Sequence, residues 1–338
     1  MTSTTLPVTD MRGIDQPDVD TVDVSLVIPV MDEQENIAIL HDQVREAISA
    51  LGLQCEVIYV DDGSRDQTPS RLRDVFTTDP CVQVVNLRRN FGKTPALLAG
   101  FAQARGLVVV TLDGDLQDDP AELSRFLVAL NEGYDVVSGW KRERHDPLTK
   151  TVPSKIFNAV VRRFTGIPLH DFNCGFKAYK REVLDELKLY GELHRFIPVL
   201  AHQRGYRVGE IVVQHRPRKF GRSKFGAGRL FKGLLDFVNV LFLTRYMQRP
   251  LQLFGPLGLL LLSLGSIGFA YLFVLKLLGQ DIFAPHGHEP LLFFSGILIV
   301  SGIQLFVLGL LGEMLRHYGF RSADEYSVRE HLKHVEVR

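Results

Sequence analysis

The chain has 338 residues, with 39 Lys or Arg against 39 Asp or Glu, so its formal net charge is zero. This length suits one large domain or two ordinary ones, and the balanced charge indicates no particular partner. We expect no nucleic acid among the partners. Cys55, Cys81 and Cys174 are widely spaced and fit no metal-ligand pattern, which argues against a disulfide framework or a zinc site. Segment 1–22 lacks a hydrophobic run, so we predict a disordered tail and not a signal peptide.

Strands and helices alternate along the chain that follows. Apolar runs of strand length predict strands, and apolar positions at helical spacing predict helices. Because four strands alternate with helices before residue 120, we predict a parallel sheet with right-handed crossovers. The predicted strands are residues 24–29, 55–60, 82–87, 107–112, 134–139 and 207–214, and the predicted helices are residues 33–51, 94–104, 121–131, 153–164 and 192–204, with one more from Thr68.

Acidic side chains follow the fourth predicted strand directly. We call residues 113–119 the acidic loop; it contains Asp113, Asp115 and Gln117. No Lys or Arg occurs from residue 106 to residue 124, so the loop is expected either to lie in water or to hold a cation. Carboxylate and amide oxygens suit Mg²⁺ or Mn²⁺, which commonly bind one or two carboxylates plus substrate phosphates. The loop therefore predicts a metal-bound diphosphate, with a solvated acidic turn as the alternative.

A second pair of acids, Asp61 and Asp62, ends the second predicted strand. Both acidic groups are expected at the carboxyl edge of the parallel sheet, which is where ligands bind in open α/β sheets. One pair would then contact the base or ribose of a nucleotide while the other holds metal. The sequence has neither a G-x-G-x-x-G fingerprint after the first strand nor a P-loop, which argues against a dehydrogenase or an NTPase.

Two apolar stretches without charged residues, 251–275 and 290–312, lie near the end of the chain. Each exceeds the roughly 20 residues that cross a bilayer as a helix, so we predict an integral membrane protein with its membrane region at 250–315. Lys and Arg residues lie before the first apolar stretch and after the second. This distribution predicts a protein of the cell membrane whose catalytic domain and both termini, including a tail at 316–338, are cytoplasmic. Segment 227–249 is predicted to be an amphipathic interfacial helix, with an ordinary core helix as the alternative.

Five motifs, in family order, make the chain resemble glycosyltransferase family 2. Within that family the chain is similar to the polyisoprenyl-phosphate glycosyltransferases, which include dolichol-phosphate mannosyltransferase and undecaprenyl-phosphate glucosyltransferases. The chain departs from the family pattern at Met31 and Asp32, where Tyr-Asn is usual, and at Gly114, where we expect the replacement of alanine to be harmless. The motifs are residues 27–36, 60–64, 89–93, 112–117 and 218–224.

The resemblance implies an α/β GT-A fold, Rossmann-like with a mostly parallel sheet, over residues 23–226. It also implies transfer of one sugar from a nucleotide sugar, such as UDP-glucose or GDP-mannose, to undecaprenyl or dolichyl phosphate. It places the nucleotide sugar against Pro29, Met31, Glu33, Asp61, Asp62, Lys93 and Asp113, and Mg²⁺ or Mn²⁺ on Asp113, Asp115 and Gln117. The implied catalytic residues are Asp115, Asp171, Arg218 and Lys224, and those implied for the acceptor phosphate are Arg142, Lys150 and Ser154.

Several alternatives stay open at this point. Asp171 is a lone acid that would equally cap a turn, and Arg218 and Lys224 lie in a basic loop that would equally be attracted to a membrane. A processive polysaccharide synthase would share the acidic pairs but would need a Gln-x-x-Arg-Trp motif, which does not surround the single tryptophan, Trp140. A non-catalytic membrane scaffold or lipid carrier would explain the apolar stretches only. The donor sugar, the nucleotide, the lipid length and the oligomeric state, with a homo-oligomer among the options, are left open.

Overall fold

The computed structural model describes residues 22–142, 148–187, 189, 191, 193–217, 250–280 and 288–319. The chain divides into two compact units at the boundary between Phe237 and Val238, and each is described by itself. The predicted interfacial helix, nearly all of the predicted N-terminal tail and most of the predicted C-terminal tail lie outside the described residues.

The first unit is built on a seven-stranded sheet in the order β3-β2-β1-β4-β6-β5-β7. All neighbouring strands pair in parallel except β6, which is antiparallel to both β4 and β5. The prediction of a mostly parallel sheet is confirmed, and β6 is a strand that the sequence analysis did not assign. The strands are β1 (Val24–Val30), β2 (Cys55–Asp61), β3 (Val82–Asn86), β4 (Val108–Thr111), β5 (Val136–Trp140), β6 (Lys177–Lys180) and β7 (Val208–Val212).

Helices cover both faces of the sheet, and a separate apolar core fills each side. Successive residues of β1 show this alternation, because Leu26 and Ile28 lie in one core and Val27 lies in the other. The helices are α1 (Ile37–Leu51), α2 (Thr68–Thr78), α3 (Lys93–Gln103), α4 (Leu123–Asn131), α5 (Leu148–Thr165), α6 (Arg181–Glu186) and α7 (Ile197–Gln203), with short 3₁₀ helices at Pro120–Glu122 and Leu193–Phe196.

Four predicted helix starts are wrong. The first helix begins at Ile37 and not at Glu33, because residues 33–36 form a turn in which the Asn36 amide donates to the Glu33 carbonyl. Residues 120–122 and 193–196 form 3₁₀ turns before α4 and α7. The helix predicted to start at 153 begins earlier, at Leu148. The predicted end of the first helix is confirmed, since Gly52 has a φ of 65° in the left-handed region.

The second unit contains two long apolar helices, α8 (Pro250–Leu277) and α9 (Glu289–Gly319), that pack antiparallel. The backbones approach closely at Gly258 and Gly302, where a Cβ added to either would lie 2.7 Å from the carbonyl oxygen of the other. The apolar segments of α8 and α9 are only 17% and 11% buried, unlike the core helix of a soluble protein. Both helices are long and apolar enough to cross a membrane.

At the amino edge of the sheet, Glu56 is 3% exposed and joins three segments of the chain. Its Oε1 accepts from the Ser25 hydroxyl at 2.6 Å and the Arg105 amide at 2.7 Å, and its Oε2 accepts from Gln83 Nε2 at 2.8 Å and Arg105 Nε at 3.0 Å. These charge-assisted bonds fix the amino ends of β1 and β2 and the turn that leads into β4.

We expect Glu56→Gln to destabilise the first unit by about 2 kcal/mol, because an amide nitrogen replaces an oxygen that accepts two hydrogen bonds. Thermal melting of the detergent-solubilised chain should show the loss. The control is Glu46→Gln at an exposed position on α1, which should have the melting temperature of the wild type. Equal melting of the two variants would contradict a structural role for Glu56.

Candidate active site

The carboxyl ends of β1, β2, β4 and β5 meet at one edge of the sheet. Val30 pairs with Asp61 and Val27 pairs with Thr111, so the loops after β1, β2 and β4 start side by side. β5 runs in the same direction as β4, because the antiparallel β6 lies between them. The predicted convergence of the two acidic groups at one edge is therefore confirmed.

Cations from three other parts of the chain form ion pairs with three of the four acids in the acidic loop. Lys93, the first residue of α3, forms an ion pair with Asp113. Lys141, directly after β5, places its Nζ 2.6 Å from Asp118 Oδ1. Arg216, after β7, forms an ion pair with Asp119.

The prediction that the acidic loop lies in water or holds a cation was based only on the absence of Lys and Arg nearby in the sequence. It therefore missed three internal cations that the fold brings from elsewhere.

Burial and the ion pairs shift the pKa values of these groups in opposite directions. Burial raises the pKa of Asp113, but Lys93 and Lys141 outweigh burial and lower that pKa to about 2. Burial raises the pKa of Asp118, and Lys141 opposes this only in part. Burial lowers the pKa of Lys141, but Asp118 outweighs burial and the pKa is raised. Asp113 is therefore a carboxylate and Lys141 an ammonium at neutral pH.

The acidic loop presents Asp113, Asp115 and Gln117 within five residues. The Gln117 amide donates to Asp115 Oδ1 at 3.3 Å, and between them Leu116 has a φ of 59° and a buried side chain in the core. A left-handed leucine is uncommon, and burial of its side chain holds the loop in this conformation. The Asp113 carboxylate lies against Gly175, where any Cβ would collide with it.

These residues fit a divalent cation that is shared with a ligand. Among the described residues, no three His, Cys, Asp or Glu side chains are arranged to hold a metal alone. Two carboxylates and one amide oxygen are the hard donors that Mg²⁺ and Mn²⁺ take, and the remaining positions suit waters and substrate phosphates.

Gly114, in the acidic loop, lies against the end of β1. A Cβ added to Gly114 would lie 2.6 Å from Val30 Cγ1, a buried branched side chain at the end of β1. Glycine at 114 and valine at 30 therefore fit each other, and the expectation that glycine in place of alanine is harmless stays a prediction.

The loops after β1 and β2 are joined by hydrogen bonds. The Asp32 amide donates to the Ser64 hydroxyl at 2.8 Å, the Arg65 amide donates to Asp32 Oδ1 at 2.8 Å, and the Glu33 amide donates to the Thr68 hydroxyl at 2.8 Å. Asp32 has a φ of 47°, a conformation that Asp and Asn adopt more readily than other residues. Aspartate in place of the family's Asn therefore preserves this turn.

Asp62 is buried and holds the loop that precedes Lys93. Its two carboxylate oxygens accept from the backbone amides of Phe91 at 2.7 Å and Gly92 at 3.0 Å. Gly63 has a φ of 72°, and a Cβ there would lie 2.6 Å from the Asn90 nitrogen, so only glycine allows the two loops to touch. Asp62 thus positions Lys93, and its predicted contact with a nucleotide stays a prediction.

The other residues predicted for the nucleotide sugar lie around the same loops. Asp61 Oδ1 accepts from the Ser64 amide at 3.1 Å. Pro29 lies on β1 beside Val60. The Met31 sulfur contacts Asn90 Nδ2, and Glu33 Oε2 accepts from Asn36 Nδ2 at 2.5 Å. The fold brings these residues together, and their contact with a ligand stays a prediction.

Of the residues predicted for the acceptor phosphate, Arg142 lies beside the aromatic ring of Trp140. Its guanidinium carbon lies 5.9 Å from the centre of the Trp140 ring, which stacks on His170 at 4.1 Å. Ser154 is half-buried on α5, and Lys150 lies on α5 with a side chain that is not described. Both predictions therefore stay open.

Asp171, Arg218 and Lys224 were predicted to be catalytic together with Asp115. Asp171 is 1% exposed, and its Oδ1 accepts from the Asn173 amide at 3.0 Å, which is the turn-capping contact of the alternative interpretation. Its catalytic role stays a prediction. Arg218 and Lys224 lie outside the described residues.

Sequence reasoning missed two buried bases beside the acidic loop. The Lys177 ammonium donates to the carbonyl oxygens of Phe172, at 3.4 Å, and Cys174, and burial lowers its pKa to about 8. The His194 ring lies 2.7 Å from the Thr94 hydroxyl through Nδ1. Burial, with Lys93 next, lowers its pKa well below the usual value. The sequence carried no signal for either residue, because both contacts depend on the fold.

Comparisons with known proteins agree with this geometry. Residues 25–188 match the model for Glycosyl transferase family 2. A dodecaprenyl-phosphate galacturonate synthase from Rhizobium johnstonii is 37% identical over 328 residues, which cover 95% of this chain and 96% of that protein. An undecaprenyl-phosphate 4-deoxy-4-formamido-L-arabinose transferase from Pseudomonas paraeruginosa is 37% identical over 293 residues, which cover 86% of this chain and 84% of that protein.

A solved structure shares the fold of the first unit. Glucosyl-3-phosphoglycerate synthase from Mycobacterium tuberculosis, in a crystal structure with Mg²⁺ and uridine diphosphate, matches with a TM-score of 0.51. The identity is 21%, and the match covers 64% of this chain and 80% of that chain. The predicted GT-A-like fold is confirmed.

We expect Asp62→Asn to loosen the loop before Lys93, because the amide nitrogen that replaces one oxygen no longer accepts a backbone hydrogen bond. Hydrogen exchange of the segment with Phe91 and Gly92 should become faster, while exchange in α1 should not change. The control is exposed Asp74→Asn on α2. Unchanged exchange in this loop, together with weaker nucleotide binding, would instead assign Asp62 to the ligand.

Proposed function

Because this chain belongs to glycosyltransferase family 2, we propose that it transfers a single sugar from a nucleotide sugar to the phosphate group of a polyprenyl lipid. The observation that carries this proposal is the convergence of the acidic loop, Lys93 and Lys141 at one edge of the sheet. The two relatives described above are named as transferring sugars to dodecaprenyl and undecaprenyl phosphate, which supports a lipid phosphate as the acceptor.

Breaking the bond between a sugar and a diphosphate builds negative charge on the leaving group. A Mg²⁺ or Mn²⁺ ion held by Asp113, Asp115 and Gln117 would supply positive charge to that leaving diphosphate. Lys93 is one-third exposed at the same edge, so its ammonium is available to the diphosphate as a second cation. The low pKa of Asp113 keeps the loop anionic, which favours a cation over the whole neutral pH range.

The acceptor needs no strong general base. A phosphate monoester has a second pKa near ~6, so the lipid phosphate is largely dianionic at neutral pH. Direct attack by this phosphate on the anomeric carbon, from the face opposite the diphosphate, would invert the sugar. An α-linked donor would then give a β-linked lipid phosphate, and an α-linked product would contradict direct attack.

A panel of UDP and GDP sugars tested with undecaprenyl phosphate identifies the donor. The proposal expects label from one donor to enter the organic phase as a single-sugar lipid, with transfer abolished by EDTA. A water-soluble polymer would indicate a processive synthase. Binding of the lipid without release of nucleoside diphosphate from any donor would indicate a lipid carrier, and would contradict the proposal.

We expect Lys93→Met to bind Mn²⁺ about fivefold more tightly, because the metal no longer competes with an ammonium for Asp113. The same variant should lose about 100-fold in transfer, because a cation facing the diphosphate is lost. Electron paramagnetic resonance of free Mn²⁺ measures the first effect. Lys180→Met is a matched control: its ion pair with Asp135 is similarly exposed but lies at the opposite edge of the sheet. Weaker Mn²⁺ binding in Lys93→Met would contradict the competition.

We further propose that the catalytic unit faces the cytoplasm, from the distribution of Lys and Arg around the two apolar helices. In a chain with its native cysteines replaced, we expect a cysteine at Gly287 to react with an impermeant thiol reagent added to intact cells. A cysteine at exposed Ser70 on α2 should react only after the cells are permeabilised. The opposite pattern would reverse the orientation.

A further inference from the structure

Asp118 and Lys141 form an ion pair that is far more buried than its neighbour in the acidic loop. The side chain of Asp118 is 0% exposed and that of Lys141 is 12% exposed. In the neighbouring pair, Asp119 is 16% exposed and Arg216 is 38% exposed. The two pairs share one loop and one charge pattern, and they differ in how far water reaches them.

The buried pair connects two strands that are not neighbours in the sheet. Asp118 follows β4 and Lys141 follows β5, and the first residue of β6, Lys177, lies between them in the register. The contact of 2.6 Å between Lys141 Nζ and Asp118 Oδ1 is an ion pair, and Lys141 is the main compensation for the Asp118 charge.

Stability alone is a weak reason for such a pair. Removing two charges from water is unfavourable, and apolar replacements of similar volume are often as stable or more stable. A lysine ammonium has three N–H donors, so one contact with Asp118 leaves donors for another anion. The pair therefore fixes a positive charge at the edge where the substrate phosphates are expected.

We propose that Asp118 is a positioning residue that holds the Lys141 ammonium at the carboxyl edge of the sheet, where Lys141 binds a phosphate oxygen of a substrate. This inference rests on the proposed function. The phosphate oxygen belongs either to the diphosphate of the donor or to the phosphate of the lipid acceptor, and the two sources share the same chemistry.

The decisive variant removes both charges at once, Asp118→Leu with Lys141→Met. If the pair is only structural, this double variant regains both the melting temperature and the transfer that the single Asp118→Asn variant loses. We expect the double variant to have the melting temperature of the wild type, while its kcat/KM stays about 100-fold below that of the wild type. Asp185→Asn, in an exposed ion pair with Arg181 on α6 and away from this edge, should transfer at nearly the wild-type rate.

Two binding measurements identify the phosphate and protect the test if the double variant does not fold. Weaker binding of uridine diphosphate to folded Lys141→Met, by calorimetry without turnover, would assign the contact to the donor. A raised KM for undecaprenyl phosphate alone would assign it to the acceptor. Wild-type values for both would overturn the proposal. If the wild type itself transfers no sugar, the proposed function fails, while calorimetry still tests the ion pair.

Discussion

The organisation of this edge of the sheet depends on how the charge of the acidic loop is balanced. Four carboxylates at 113, 115, 118 and 119 lie within seven residues, and their mutual repulsion would open the loop if nothing opposed it. Lys93, Lys141 and Arg216 oppose it from three separate elements. The loop is thus held by contacts that exist only when the sheet is assembled, which links correct folding to the geometry of the site.

The three ion pairs differ in burial, and this difference assigns them different tasks. Asp118 is sealed from water and Lys141 is only 12% exposed, so the two charges are held in place. The Lys93 ammonium is one-third exposed, so an incoming cation or diphosphate reaches it at a modest free-energy cost. Asp62 supports this second pair, because it holds the backbone just before Lys93. The buried Asp118–Lys141 pair is therefore fixed, whereas the Lys93 ammonium can leave Asp113 for another partner.

Much of this arrangement could be predicted from the sequence, because strand runs and strand-end acids are local signals. The parallel pairing of β1, β2 and β4 follows from alternating strands and helices, and it places Asp61 near Asp113 without further information. The antiparallel β6 could not be predicted, since its four residues carry no distinct period. The partners of Asp113 and Asp118 could not be predicted either, because Lys93 and Lys141 are distant in sequence and meet the loop only through the strand order.

The helices of the second unit show the same division between local and non-local signals. Their length and apolar composition are evident from residues 251–275 and 290–312. The contact between Gly258 and Gly302 is not evident, because it requires an antiparallel hairpin whose backbones touch. Small residues lie where α8 and α9 touch. The large apolar side chains of the two helices, such as Ile267 and Phe293, are exposed, as a lipid environment favours.

We propose above all that the sugar of a nucleotide sugar is transferred to a lipid phosphate at this edge of the sheet, with release of the nucleoside diphosphate. Phosphorus NMR of the purified chain with donor, Mn²⁺-free Mg²⁺ buffer and undecaprenyl phosphate tests it most directly. The account predicts that the phosphomonoester signal of the lipid is replaced by a phosphodiester signal, with one nucleoside diphosphate released for each diester formed. Release of nucleoside diphosphate while the lipid phosphomonoester stays unchanged would mean hydrolysis of the donor, and would contradict the account.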